Sequence, residues 1–378
     1  MKIGILTLPL HTNYGGILQA YALHLVLQRM GHDVCVIDYD SMKPLRLPLL
    51  KMPLAYGKRI VKNLIGRRTP VFYEGKYNRE TPVVRQHTNV FIENKIRRML
   101  ITDFSQIHED DFDGFLVGSD QVWRPCYFEP MFQSDISNAY LGFAKDWIVK
   151  RVSYAASFGV DFWEYSDQQT HRCRNLLKLF DGVSVRESSA VNLCKERLDV
   201  SAQHVLDPTM LLDSDDYLSV IDMESVHVSE GELLTYVLDD SPEKSKLVES
   251  LSRLTSLHPF SVMPRSYDIN SSVEDRICPS VESWLRGFYD AKLVVTDSFH
   301  ACVFSILFKK PFVVVVNKER GASRFYSLLT MFGLEDRIIH STDDLKGHDY
   351  MKPLPGSVYD RLNEMRNKSL SFLKDSFA

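Results

Sequence analysis

The residues best suited to chemistry sit where short apolar runs end. Lys292-Leu-Val-Val-Thr296 reads as a strand and stops at Asp297-Ser298-Phe299-His300. Ala301–Phe308 then reads as a helix and Pro311–Val316 as the next strand. Ligands of open α/β sheets bind at the carboxyl ends of strands. A helix N-terminus there offers unpaired N–H groups and a partial positive charge that suit an anion. His300 stands at that point, with an imidazole whose ordinary pKa fits proton transfer near neutrality. A buried histidine bonded to backbone is the plainer reading, and the elbow position favours the functional one. Four more polar exits occur in the first half. His11-Thr12-Asn13-Tyr14-Gly15-Gly16 pairs two glycines that let backbone approach a ligand. Gly118-Ser119-Asp120-Gln121 offers hydroxyl and amide groups, although Asp120 could equally cap a helix. Ser153-Tyr-Ala-Ala-Ser157-Phe-Gly159 carries hydroxyls. Ser184-Val-Arg186-Glu187 puts an arginine, whose fork fits carboxylate or phosphate, directly after a strand. Lys318, Arg320 and Arg324 follow the strand ending at Val316 and could bring positive charge to the same place as His300.

These exits need a scaffold of alternating strands and helices. Lys2–Leu8, a helix over 17–30 and Asp33–Asp38 form a β–α–β unit at the start. Residues 41–112 are less regular and read as an insertion with some helices. Strands return at Phe112–Gly118, Val152–Ala156 and Gly182–Val185, with helices at 171–180 and 189–197. The charged stretch 213–231 reads as a linker. Strands at Leu233–Leu238, Phe260–Met263, Lys292–Thr296 and Pro311–Val316 then alternate with helices over 243–254, 280–289, 301–308 and 323–332, and a last helix covers 358–372. The expected fold class is α/β, with two Rossmann-like domains facing a cleft: 1–212, then the linker 213–231, then 232–378 with its C-terminal helix.

Composition narrows the options. With 378 residues the chain is long enough for two or three domains. A net charge of −4 argues against a general nucleic-acid binder. Six scattered cysteines without a C-x-x-C pair suggest reduced thiols and a cytoplasmic setting. No run of about 20 apolar residues is present to span a bilayer. One basic segment, Lys51 to Arg68, interleaves cations with Leu54, Ile60, Val61, Leu64 and Ile65. It could rest on an anionic membrane surface, and a solvated helix in the insertion is the simpler alternative. Histidine spacing offers no metal site, and neither a dinucleotide fingerprint, a P-loop nor a G-x-S-x-G elbow occurs.

Taken in order, Asn13-Tyr14-Gly15-Gly16-Ile-Leu-Gln19-Ala20, Gly118-Ser119-Asp120-Gln121-Val-Trp123, Ser153–Gly159, Ser184-Val-Arg186-Glu187, Leu206-Asp207-Pro208-Thr209 and Asp297-Ser298-Phe299-His300 resemble the polysaccharide pyruvyltransferase family. The resemblance spans nearly the whole chain. It implies a GT-B-like fold and transfer of pyruvate from phosphoenolpyruvate, the donor substrate, to a sugar as a ketal, with no cofactor or metal. The acceptor would be a sugar of a surface polysaccharide (exopolysaccharide or capsule) or its lipid-linked precursor, met in the cytoplasm at the inner face of the membrane. In the family, the arginine of the V-R-E segment and an R-x-H pair hold phosphoenolpyruvate. Arg186 matches the first and His300 the histidine. Ser298 stands where the family often has its second arginine, so Arg324, Arg320 or Lys318 would have to replace it. His300 is then general acid or phosphate ligand, and Asp120 a candidate base. Asn13, Tyr14, Gly15, Gly16, Ser119, Gln121 and Ser157 are expected on the acceptor side. A nucleotide-sugar glycosyltransferase of the same architecture is the competing enzyme reading. A binding-only member of a polysaccharide assembly complex is the non-enzyme one.

Overall fold

The computed structural model describes residues 1–40, 44–66, 68–316, 322–345 and 348–378. Its strands build two parallel sheets. The first has seven: β1 (Lys2–Leu6), β2 (Asp33–Tyr39), β3 (Arg98–Ile101), β4 (Gly114–Val117), β5 (Lys150–Ala156), β6 (Gly182–Val185) and β7 (Gln203–His204), in the order β3-β2-β1-β4-β5-β6-β7. The second has five: β8 (Leu233–Tyr236), β9 (Pro259–Phe260), β10 (Leu293–Thr296), β11 (Phe312–Val315) and β12 (Ile338–Ile339), in the order β12-β11-β10-β8-β9. Helices cover both faces, so the central strands can be apolar on each side. Ile3, Ile5, Leu116, Leu293, Val294 and Val313 are fully buried.

Each order reverses once, between β1 and β4 in the first sheet and between β8 and β10 in the second. At such a switch point the helices leave to opposite faces and open a crevice beyond the strand ends. The two crevices face each other. A single apolar core runs between the halves: the Tyr14 ring stacks on Trp284 at 5.6 Å, its hydroxyl donates to the Pro279 carbonyl (2.7 Å), and Tyr217 meets Phe304 edge-on at 4.9 Å.

Two placements differ from the sequence reading. The stretch 41–112 contains β3, which pairs with β2 as an edge strand, and Arg98 there reaches the buried Asp38 carboxylate at 2.8 Å. Four residues flanked by charge gave little period to read. The last helix, Gly356–Ser376, follows the second sheet in the chain but seats on the first half. Ser369 accepts the Leu206 N–H (3.0 Å), and Arg366 donates to the Met210 and Leu212 carbonyls (2.8 and 3.0 Å). Among the described residues no helix is long and apolar enough to cross a membrane.

Candidate active site

A cavity of about 480 Å³ lies where the two switch points meet, a size typical of small-ligand sites. Its wall is made of strand exits. Asn13 and Gly15 follow β1, Asp120 and Gln121 follow β4, Leu238 and Asp239 follow β8, and Ser298 and His300 follow β10. Arg324, from the helix Ala322–Phe332, completes the wall.

His300 occupies the first turn of the helix Phe299–Leu307, and its ring meets the start of the helix Tyr14–Arg29 from the other half. Gly15 makes that meeting possible: a Cβ there would overlap His300 Nδ1. The opposite edge of the ring faces Asp207, with Nε2 3.7 Å from Oδ2. That is too long for a hydrogen bond and within ion-pair reach.

Asp207 is the hub beneath the cavity. Its Oδ2 takes Arg186 Nη1 at 3.0 Å and the Gln19 amide, and its Oδ1 takes the Thr209 hydroxyl at 2.6 Å. Burial alone would raise its pKa. His300, Arg186 and Thr209 outweigh that and hold the carboxyl well below the usual carboxylate range. Arg186 is buried among three carboxylates: Asp207, Asp120 at 3.6 Å and Glu187 at 4.0 Å. Its guanidinium also lies over the Phe299 ring, 4.8 Å from the centroid. Glu187 in turn accepts from Ser157 Oγ (2.9 Å) and from the amides of Phe158 and Gly159.

Arg324 packs on the same Phe299 ring at 5.7 Å and does face the cavity. Burial, and then the neighbouring Arg186 charge, push its pKa down to about 10, so it stays cationic at neutral pH. Among the described residues it is the only arginine or lysine on the cavity wall. Asp120 sits in the left-handed region at φ 58°, directly after the exit of β4, with Asn13 Nδ2 3.4 Å from its Oδ2. Aspartate tolerates this backbone better than most residues, and it turns the carboxylate between Arg186 and the cavity.

The expected residues therefore separate into two layers. His300, Asp120, Arg324, Ser298, Asn13, Gly15 and Gln121 share the cavity wall. Arg186 does not reach it and organises the carboxylates below. Ser119 bonds Gln19 Nε2 (2.9 Å) and the Ala155 carbonyl (3.2 Å), Ser157 bonds Glu187, Tyr14 bonds Pro279, and Gly16 packs by Asn13. Asp297 also lines the cavity and is held by Lys244 (2.7 Å) and the amides of Leu238 and Asp239. Lys318 and Arg320 lie outside the described residues. Sequence reasoning gave no role to Asp207, whose Asp-Pro-Thr context reads as a turn, nor to Tyr236, Asp239 and Tyr267. The strand-exit logic applied to β8 points to Tyr236 and Asp239. His11 also lines the cavity. Its Nδ1 accepts the Thr12 N–H (2.7 Å), and burial, aided by Arg85, lowers its pKa to about 4. No group of three or more His, Cys, Asp or Glu able to hold a metal occurs among the described residues.

Two facing Rossmann-like domains, with a polar, cation-bearing cleft between them, place the fold in the GT-B-like class. A glycosyltransferase from Rickettsia africae ESF-5 shares this fold, with a TM-score of 0.54 at 10% identity over 100% of this chain and 98% of that one. The UDP-GlcNAc 2-epimerase from Neisseria meningitidis (TM-score 0.45, 10% identity, 100% and 99% covered) and MurG from Acinetobacter baumannii (0.44, 10%, 99% and 99%) are also similar. No curated protein matches the sequence. The family model for polysaccharide pyruvyl transferase matches residues 13–319, and the chain belongs to that family, whose members are transferases of polysaccharide biosynthesis.

Proposed function

We propose that the protein transfers the pyruvyl group of phosphoenolpyruvate to two hydroxyls of one sugar, forming a cyclic ketal and releasing phosphate. The sugar would belong to a surface polysaccharide or its lipid-linked precursor, and the reaction would run in the cytoplasm. The observation that carries this reading is the pairing of His300 with Arg324 on one cavity wall, with His300 backed by the Asp207–Arg186 network.

The chemistry follows from what the donor needs. Arg324 and the N-terminus of the helix Phe299–Leu307 hold its anionic groups. Protonated His300 gives its proton to the methylene carbon, which becomes the methyl group and leaves C2 as an oxocarbenium-like centre. Asp207 steadies the imidazolium across 3.7 Å until its proton is given up. One sugar hydroxyl attacks C2, the C2–O bond to phosphate breaks, and the second hydroxyl closes the ketal. Of the two hydroxyl protons released, one balances the proton given to carbon and the other leaves with phosphate. Asp120 accepts a hydroxyl proton on the acceptor side. Asn13 and Gln121 align the diol.

The test is phosphate release from phosphoenolpyruvate with a sugar acceptor. His300→Ala should lower it by about 10²–10⁴ with the fold intact. Near-normal turnover in that variant would rule out the assignment.

A further inference from the structure

The helix Met52–Leu64 buries none of its residues and turns an apolar face outward. Its inner side is fixed to the chain that follows. Arg59 forks onto Glu74 at 2.6 Å and reaches the Val71 carbonyl, Tyr56 packs edge-on against Phe72, and Asn63 brackets Thr69. Residues 50, 54, 61 and 65 lie on the opposite side at helical spacing. There Leu50 is 97% exposed, Leu64 81%, Ile65 70%, Leu54 66% and Val61 57%. A helix on a soluble surface ordinarily shows the reverse pattern. Lys51, Lys58 and Lys62 form the adjoining exposed stripe. Between Asp40 and Glu74 the sequence carries eight Lys and Arg and no acidic residue, in a chain of net charge −4.

From this we infer that the outer face of this helix lies on a membrane surface rich in anionic phospholipid, with the leucines in the acyl boundary and the lysines among the headgroups. A second copy of the chain fits poorly. A two-fold contact would set these lysines against each other, with no acid in the patch to answer them. The location also suits a lipid-anchored acceptor, in which respect the inference rests on the proposed function. The segment ends at Arg68, whose carbonyl accepts Asn270 Nδ2 at 3.0 Å. Three residues earlier in that loop, Tyr267 is 63% exposed and lines the cavity. The next helix, Tyr73–Val84, is tied to the same loop region by Glu80 and Arg276 at 2.5 Å. The segment that carries the stripe thus ends beside a loop of the cavity wall.

The experiment is co-sedimentation of the full chain with phosphatidylcholine vesicles, with and without phosphatidylglycerol. Binding should require phosphatidylglycerol and weaken with salt. Each lysine near such a surface contributes about fivefold to partitioning, so K51Q/K58Q/K62Q should lose on the order of 100-fold. L54S/V61S/L64S should also release the protein while retaining wild-type turnover of a water-soluble acceptor. Equal sedimentation with and without phosphatidylglycerol overturns the inference. So does unchanged binding of either triple variant, or a wild-type dimer that L54S/V61S/L64S converts to monomer. Vesicle binding uses no donor, so this surface and the pyruvyl chemistry stand or fall separately.

Discussion

Asp207 Oδ2 lies 3.7 Å from His300 Nε2, and the two residues come from opposite halves of the molecule. The acid proposed for the cleft is therefore faced by a carboxylate of the other domain. Asp207→Asn keeps the shape and removes the charge that steadies an imidazolium. Turnover should fall about 10–100-fold, with the KM for phosphoenolpyruvate nearly unchanged, and the pH–rate profile should shift. Phosphate-release kinetics across pH check this. A rise in KM alone would place Asp207 in donor binding instead.

Gly15 offers a sharper geometric test. It lies in the first turn of a helix, where alanine is favoured over glycine by about 1 kcal/mol. Its added methyl would strike His300 Nδ1. Gly15→Ala should lower the melting temperature by a few degrees at most, the overlap costing about 1–3 kcal/mol against that gain, while turnover falls about 10²-fold. A fully active variant would show that the ring has room to move.

Two arginines that look alike in sequence should fail in different ways. Arg186 offsets three buried carboxylates and does not line the cavity. Arg186→Met leaves those charges unanswered and should cost about 3–5 kcal/mol of stability in denaturant titration. Arg324 lines the cavity, and Arg324→Met should raise the KM for phosphoenolpyruvate about tenfold or more with a smaller stability change. The opposite pattern would exchange their roles.

Acid should loosen the fold in two stages. His11 titrates near 6.5 when unfolded but near 4 when folded, so between those values the unfolded chain binds the extra proton and stability falls as pH falls. The loss is on the order of 2 kcal/mol. Asp207 is held below the usual carboxylate range, so its contribution is present above about pH 4 and is lost as pH drops further. Denaturant midpoints from pH 7 to 4 should decline in wild type and decline less steeply in His11→Gln, because burial also lowers the pKa of His24, His32 and His204.

Much of this architecture was readable as hydrophobic rhythm. β6 has the expected bounds, and β1, β4, β5, β8, β10 and β11 lie within a few residues of theirs. Parallel strands buried on both faces write themselves as apolar runs, and their polar exits mark the ligand edge. Depth was not readable. Arg186 and Arg324 both follow β-branched runs, and only packing makes one a buried organiser and the other a wall residue. Asp207 was hidden for a similar reason. Its partners Gln19 and Arg186 are scattered along the first half, and His300 joins them only when the two sheets close on each other. The edge strand β3 and the seat of the last helix likewise depend on tertiary contacts that no local period encodes.

The most direct test of the central claim is thermal unfolding with phosphoenolpyruvate set against UDP and GDP. Phosphoenolpyruvate at about 100 times its Kd should stabilise the wild type by about 2.7 kcal/mol, a rise of several degrees, and Arg324→Met should lose that rise. Stabilisation by a nucleotide and none by phosphoenolpyruvate would contradict the account.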